Sequence, residues 1–591
     1  MIRALWFIIL ALPALQAQAL ENLPLDLLGL QENGNSYTAS VSGDGRYIAF
    51  DSQASNLLGN DTNGARDVYL YDRNTGSLEL ISVDNNGHRG SGHSRQPSIS
   101  ADGRYVAFES MSALVPGGSN GVFQIYLRDR QTHTTRLIST NINGVAGDGP
   151  SYRPHISADG SLVVFDSMAS NLIGTDKNAY SDVFIKHVDT GVVERVSMAA
   201  GGGQPDNGSY EPQMSPDGRY VVFVSQARNI VSPSVNSQRQ VYLLDRQSGS
   251  VRMVSVDGRG VAGNGASFLP DVDDQGRRVV FYSLAANLTP GLSGASVQVF
   301  MHDMASGETR LVSRTPSGAA GNDHSYFTAI SGNGRYVSFI SFASNLMAGD
   351  TNAKSDVYTL NLDSGELSLT SLANNGGLGN GSILGAPAMN SDGGVIVFTS
   401  YASNLVANDR NGYADVFVST QVLNSPPVAV AGSPQTLECS GATTPVTLDG
   451  RGSSDGDGDS LDYTWSGDFG QAAGAVVTVP MTLGSHTAGL TVNDGHGGQD
   501  SAATSVTVQD SVAPSLSVPG RVSLEAQSRQ GAPYELAPVA DDACGPVGIA
   551  IAPSYTTYPL GDNAITVTAT DAGGNSRSAE VVVSVADTTA P

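Results

Sequence analysis

Short apolar runs, each set off by a small polar turn, recur along the first two thirds of the chain. Ser100-Ala101-Asp102-Gly103-Arg104-Tyr105-Val106-Ala107-Phe108-Glu109-Ser110 is representative. Its turn glycine returns at Gly45, Gly160, Gly218, Gly276, Gly334 and Gly393, in steps of 57 to 59 residues. A period this constant marks one supersecondary unit stacked repeatedly. Each unit holds four strand-length runs. The first is short and ends at the Gly-turn, as in Pro97-Ser98-Ile99. The second is continuously apolar, as in Tyr220-Val221-Val222-Phe223, and so predicts a strand covered on both faces. The third follows Asp67-Val68-Tyr69-Leu70-Tyr71, and the fourth Leu78-Glu79-Leu80-Ile81-Ser82.

Seven four-stranded units predict a seven-bladed β-propeller within an all-β chain. The seventh unit stops after its third strand, near Ser419. A spare strand, Leu25-Asp26-Leu27-Leu28-Gly29-Leu30, stands at the start and aligns with the fourth strand of the first unit. We expect residues 25–30 to complete the last blade, closing the ring over residues 20–422 and removing two exposed sheet edges.

The pattern Pro-x-hydrophobic-Ser-x-Asp-Gly-Arg-Tyr-Val-x-Phe, followed by Asp-Val-Tyr-Leu-x-Asp, resembles the WD-like propeller repeats of the TolB family. The fifth unit departs with Asp274-Gln275-Gly276, and the seventh has Gly394 in place of Arg. The resemblance implies a periplasmic or secreted scaffold that binds other proteins. After Asn424-Ser425-Pro426-Pro427 the composition shifts. Leu448-Asp449-Gly450, Leu461-Asp462-Tyr463-Thr464-Trp465 and Leu490-Thr491-Val492-Asn493-Asp494 make residues 423–509 similar to a PKD domain, an immunoglobulin-like sandwich. Thr566-Val567-Thr568-Ala569-Thr570-Asp571-Ala572-Gly573-Gly574-Asn575 makes residues 510–591 resemble a HYR module, also immunoglobulin-like.

Charge narrows the partners. The net charge of −25 repels nucleic acid and anionic membranes. Arg3, the apolar run Ala4 to Leu15 and Ala17-Gln18-Ala19 read as a signal peptide over residues 1–19, so export to the periplasm, surface or medium is expected. Only two cysteines occur, Cys439 and Cys544, one in each C-terminal module, and the sequence leaves open whether they pair.

The chemistry worth testing falls on the long loops, which share one face of the expected ring. Four units carry Asp-x-Asn-x-x-x-Asp: Asp61/Asn63/Asp67, Asp176/Asn178/Asp182, Asp350/Asn352/Asp356 and Asp409/Asn411/Asp415. Alternate oxygen ligands suit calcium, and the same residues also suit turn capping. Asp455, Asp457, Asp459 and Asp462 form a denser carboxylate run with the same two readings. Aromatics precede the innermost strands at Tyr37, Tyr152, Tyr210, Phe268 and Tyr326; they would either ring the channel mouth or wedge between blades. Gly117-Gly118-Ser119-Asn120-Gly121 spells a nucleophile elbow without the strand-to-helix context that chemistry requires. No His-Glu-x-x-His or phosphate loop is present. The expectation is a non-enzymatic binding protein for a protein, peptide or glycan, with calcium the one cofactor in view. Its rivals are a carbohydrate-active enzyme using Glu211, Asp271 or Asp273, and a structural surface component.

Overall fold

The computed structural model describes the chain except residues 1–18, 24–30, 60, 119–120, 233–234, 293–295, 422–423, 496–497 and 590–591. The expected signal segment therefore lies outside the described residues, up to Ala19. The chain divides into two compact units, residues 1–423 and 424–591.

The first unit is a β-propeller of seven four-stranded sheets, each in simple antiparallel order. In the second blade the strands run Ser94–Ile99, Tyr105–Ser110, Gln124–Asp129 and Thr134–Leu137, from innermost to outermost. The second strands are buried along nearly their whole length, which their continuous apolar sequence requires. Seven apolar cores fill the seven inter-blade interfaces. Val106 and Phe108 pack on Val68 and Leu70 between blades one and two, and the pattern repeats until Val395, Val397, Val416 and Val418 of the seventh blade pack on Ile48, Phe50 and Tyr69 of the first.

The Gly-turns form a second closure at the short-loop end. Gly43 N–H donates to Ala101 O, Ala101 to Ala158 O and Ala158 to Pro216 O; across the ring Asp274 donates to Gly332 O, Asn333 to Ser391 O and Ser391 back to Gly43 O. The link from blade four to blade five is missing because Pro216 has no N–H. Each turn glycine has a positive φ, and Gly103, Gly160 and Gly276 lie against the rings of Tyr47, Tyr105 and Tyr220 in the preceding blade. A side chain has neither the conformation nor the room there.

The ring is completed by an N-terminal strand, but not the expected one. Ala19–Leu23 pairs antiparallel with Asp415–Thr420, Leu20 opposite Ser419 and Leu23 opposite Val416. The proposed strand at 25–30 lies outside the described residues, and the seventh blade's open edge is already taken. Two physical features select the earlier segment. Leu20 is buried in the core between blades six and seven, and the Asn374 side chain both accepts from Leu20 N–H and donates to Leu20 O, each at 3.0 Å.

The second unit holds two modules of like topology. In the first, Gln435–Glu438 runs parallel to Gln499–Gln509, which forms a long hairpin with Gly484–Asn493. Trp465 is fully buried at the centre of its core, with Nε1–H donating to Gly474 O at 3.2 Å. In the second, Arg521–Glu525 runs parallel to Ser576–Ala586, which pairs with Gly561–Thr570. The alternating buried and exposed positions of these hairpins are those of half-buried antiparallel strands. Cys439 and Cys544 form a disulfide, settling the pairing the sequence left open and joining the two modules.

Candidate functional site

At the long-loop end, three sets of residues make the rim of the ring. The first set is the second position of each inner strand: Tyr37, Arg95, Tyr152, Tyr210, Phe268 and Tyr326, all partly buried. The structure thus brings the five predicted aromatics to equivalent places. The second set is the next residue, where the strands bulge out of register. Gln96, Arg153, Glu211, Leu269 and Phe327 stand there with φ between 38° and 56°. Left-handed backbone at five non-glycine positions costs roughly 1 kcal/mol or more each and is held by its surroundings. The third set precedes each third strand: Arg66, Phe123, Ser181, Arg239 and Val297, whose carbonyls accept the N–H of the following blade's first inner-strand residue at 2.7–2.9 Å.

Acids hold the bulges, Asp51 and Glu109 fully buried and Glu211 partly so. Asp51 accepts N–H from Gln96 of the next blade at 3.3 Å, Glu109 from Arg153 at 3.1 Å, and Glu211 from Leu269 at 2.8 Å. Each acid also meets an arginine on the rim: Asp51 with Arg66 at 3.0 Å, Glu109 with Arg95, Asp166 with Arg153 at 3.0 Å and Glu211 with Arg239 at 3.5 Å. Burial pushes Asp51 and Asp166 up to about 6, against the pull of their arginines. Asp271, which accepts from Ile330 N–H at 2.9 Å, is pushed by burial up to about 7.

The outer ends of these pairs face solvent as guanidinium groups stacked on rings. Arg66 lies 3.5 Å from the centroid of Tyr37, Arg95 4.2 Å from Phe123, and Arg239 5.2 and 5.3 Å from Tyr210 and Phe268. From blade five onward the rim changes character. Phe268 stacks on Tyr282, Phe327 meets Tyr282 and Tyr326 edge-on, and Tyr326 contacts Phe342. One arc is therefore cationic and aromatic, and the other is aromatic alone. The sequence reading missed Arg66, Phe123, Arg153, Arg239 and Phe327. Arg66, Phe123 and Arg239 stand just ahead of each Val-Tyr-Leu strand, at a place where the repeats disagree, and that disagreement was the available signal.

Residues 424–508 match the PKD domain family. No curated protein matches the chain. Solved structures similar to it include TolB from Agrobacterium tumefaciens, with 21% identity over 47% of this chain and 80% of that one and a TM-score of 0.31. TolB from Acinetobacter baumannii has 13% identity over 66% and 81%, with a TM-score of 0.32. The WD40 repeats of RRP9 have 10% identity over 68% and 97%, with a TM-score of 0.38.

The Asp-x-Asn loops take a different part. Asn63 Oδ1 accepts Ala65 N–H at 2.7 Å, while its amide donates to Asp67 at 3.0 Å and Gly90 O at 2.8 Å. Asp67 also accepts from Ser82 and Arg89, and Arg89 pairs with Asp61 at 3.1 Å. Asp182 and Asp356 likewise accept from Asn178 and Ser197 and from Asn352 and Ser371. Asp415 accepts from Asn411 at 3.0 Å, and Asp409 and Asp350 from Gln31 and Tyr358; Asp176 lies 3.7 Å from Arg195. Where the pattern is absent, Gln124, Gln240 and Gln298 occupy the same strand position. They accept from Ser139, Ser255 and Ser313 and donate to Gly147 O, Gly263 O and Gly321 O. A neutral amide does in three blades what the Asn–Asp pair does in the others, which identifies a turn-fixing bond network.

In the PKD module, carboxylate oxygens of Asp455, Asp457 and Asp459 lie within 4.8 Å of one another, without Asp462. Asp455 Oδ1 accepts Asp457 N–H at 2.8 Å and Asp459 N–H at 3.2 Å. The Gly117–Gly121 string includes residues 119 and 120, outside those described. Among the described residues no helix is long and apolar enough to cross a membrane.

Proposed function

We propose that the chain is an exported, non-enzymatic binding protein that seats a protein or peptide segment on the long-loop rim of its propeller. The rim's division into a guanidinium–aromatic arc and a purely aromatic arc carries this reading. The arginines offer planar donors, while their counter-carboxylates are buried behind them. A partner that sets carboxylates against Arg66, Arg95, Arg153 and Arg239 and an apolar or aromatic side chain against Phe268 and Phe327 fits both arcs. A neutral glycan would stack on the rings but bring no carboxylate to the guanidinium groups. Residues 510–591 read as a HYR-like module which, with the PKD module, acts as a spacer or adhesive element.

Glu211, Asp271 and Asp273 each accept main-chain N–H groups, which favours binding over catalysis. The test is capture from the native envelope and medium by the full chain and by a Tyr152→Ala/Tyr210→Ala chain. The reading expects a partner retained by the first and lost by the second, with the propeller's thermal transition within a few degrees of native. Equal retention by both chains would refute it. Turnover of a polysaccharide that Glu211→Gln abolishes would replace it with the enzyme.

A further inference from the structure

The junction between the PKD module and the module after it holds three aspartates on three separate segments. Asp510 follows strand Gln499–Gln509, Asp542 follows Val539–Asp541, and Asp571 follows Gly561–Thr570. One carboxylate oxygen from each lies within 4.8 Å of the others. Asp571 is only 7% exposed. Its Oδ1 accepts Asn575 N–H at 2.8 Å, but Oδ2 is buried with no hydrogen-bond partner, and so is Asp510 Oδ1. The described ion pairs of this unit, Arg451–Asp449, His486–Asp468 and Arg521–Asp562, lie elsewhere. A buried carboxylate oxygen left without a donor loses its hydration uncompensated, and two facing carboxylates add repulsion.

The PKD module shows how the same turn looks when satisfied by protein alone. Asp494 sits where Asp571 does, after the first strand of the long hairpin, and its Oδ1 accepts Gly498 N–H at 2.9 Å. Its Oδ2 accepts the amide of Asn424, from the segment entering that module, at 2.7 Å. At the second turn the entering segment brings Asp510 instead. Two ionised carboxylates have no hydrogen to share, so with both charged the equivalent contact needs a cation between them. Ca²⁺ binds oxygen at about 2.3–2.6 Å, so ligands on opposite sides of it stand about 4.6–5.2 Å apart. Mg²⁺ demands near-octahedral geometry and gives up its waters reluctantly, so three convergent carboxylates suit Ca²⁺ better.

We propose that Asp510, Asp542 and Asp571 form a calcium site that fixes the linker between the two C-terminal modules. The neighbouring bonds support a preformed cage. Asn575 Nδ2 holds Asp510 O at 3.0 Å, Cys544 N–H holds Asp542 Oδ1 at 2.7 Å, and the disulfide ties Cys544 to Cys439, whose N–H donates to Gln509 O. Water completes the shell.

The experiment is titration calorimetry of CaCl₂, and separately MgCl₂, into chelator-stripped full chain, with limited proteolysis of the 510–514 linker in calcium and in EGTA. We expect calcium binding with a Kd of about 10⁻⁴–10⁻³ M, the range of extracellular modules, and calcium-dependent protection of the linker. Asp571→Asn and Asp542→Asn should each weaken this site at least tenfold and abolish protection. Asp457→Asn, in the separate PKD cluster, should leave protection intact. Asn at 542 keeps an acceptor for Cys544 N–H, so this variant carries the test if Asp571→Asn loses its thermal transition. Absence of calcium-dependent protection, protection that survives Asp542→Asn, or equal protection by magnesium would overturn the assignment.

Discussion

Replacing Gly103 by Ala probes the feature on which the ring depends most. Gly103 has φ of +72°, and a Cβ there would overlap the Tyr47 ring of the preceding blade, with Cγ 2.7 Å away. Two costs follow. The left-handed backbone costs a side chain about 1–2 kcal/mol. Forcing a methyl into a packed ring costs about 1–3 kcal/mol more, because tyrosine must leave its rotamer or the blades must separate. Gly144 isolates the first cost. Its φ is +78°, yet nothing lies within 4 Å of a Cβ built there. For a ring of about 400 residues, 1 kcal/mol moves the midpoint by about 1 °C. We therefore expect Gly144→Ala to lower the propeller's calorimetric transition by about 1–2 °C and Gly103→Ala by about 2–5 °C. Gly160 and Gly276 pack on Tyr105 and Tyr220 in the same way. The triple Gly103/Gly160/Gly276→Ala chain should thus lose roughly three times the single amount. Equal shifts for Gly103→Ala and Gly144→Ala would show that the glycines are needed for their dihedral angles alone, and the inter-blade packing account would fail.

The buried acids set an unusual pH dependence. Asp51 and Asp166 titrate at about 6 in the native state but near 4 when unfolded, so between those values the native state holds protons the unfolded chain has released. Propeller stability should therefore fall as pH rises from 4.5 to 7, by about 2 kcal/mol per group, and Asp51→Asn should flatten part of the slope. A urea midpoint that rises over this range would contradict it. Asp356→Gln should cost less than about 1 kcal/mol, as Gln124, Gln240 and Gln298 already serve at this place, whereas Asp356→Ala should cost about 1–3 kcal/mol. A calcium-dependent rise in the propeller midpoint, abolished by Asp356→Gln, would restore the metal reading for that loop. Reduction of Cys439–Cys544, which closes a separation of 105 residues, should destabilise the C-terminal unit by up to about 4–5 kcal/mol and leave the propeller transition in place, as read by calorimetry with and without reductant.

What could be read from the sequence follows the range of the interactions involved. Blade structure is written locally: a turn glycine, an apolar strand and a second turn recur in one stretch, so the ring is legible. The choice between Ala19–Leu23 and residues 25–30 for the closing strand is not local. Both are short and leucine-rich, and the decision rests with Asn374, more than 350 residues away, which clasps the backbone of Leu20. The Asp-x-Asn loops show the same limit from the other side. Their spacing suits a cation, but the serine that bonds Asp67 lies 15 residues later, on another strand. The aromatic positions were legible because they follow the repeat. The bulge was not, since Gln96, Arg153, Glu211, Leu269 and Phe327 share only a backbone conformation. That conformation is held by an acid in the preceding blade for Gln96, Arg153 and Leu269. Blade-to-blade identity thus ends at the backbone of the rim. The side chains mounted on that common frame vary freely from arginine to phenylalanine, and a scaffold that fixes the frame while varying the contacts is suited to recognising an asymmetric partner.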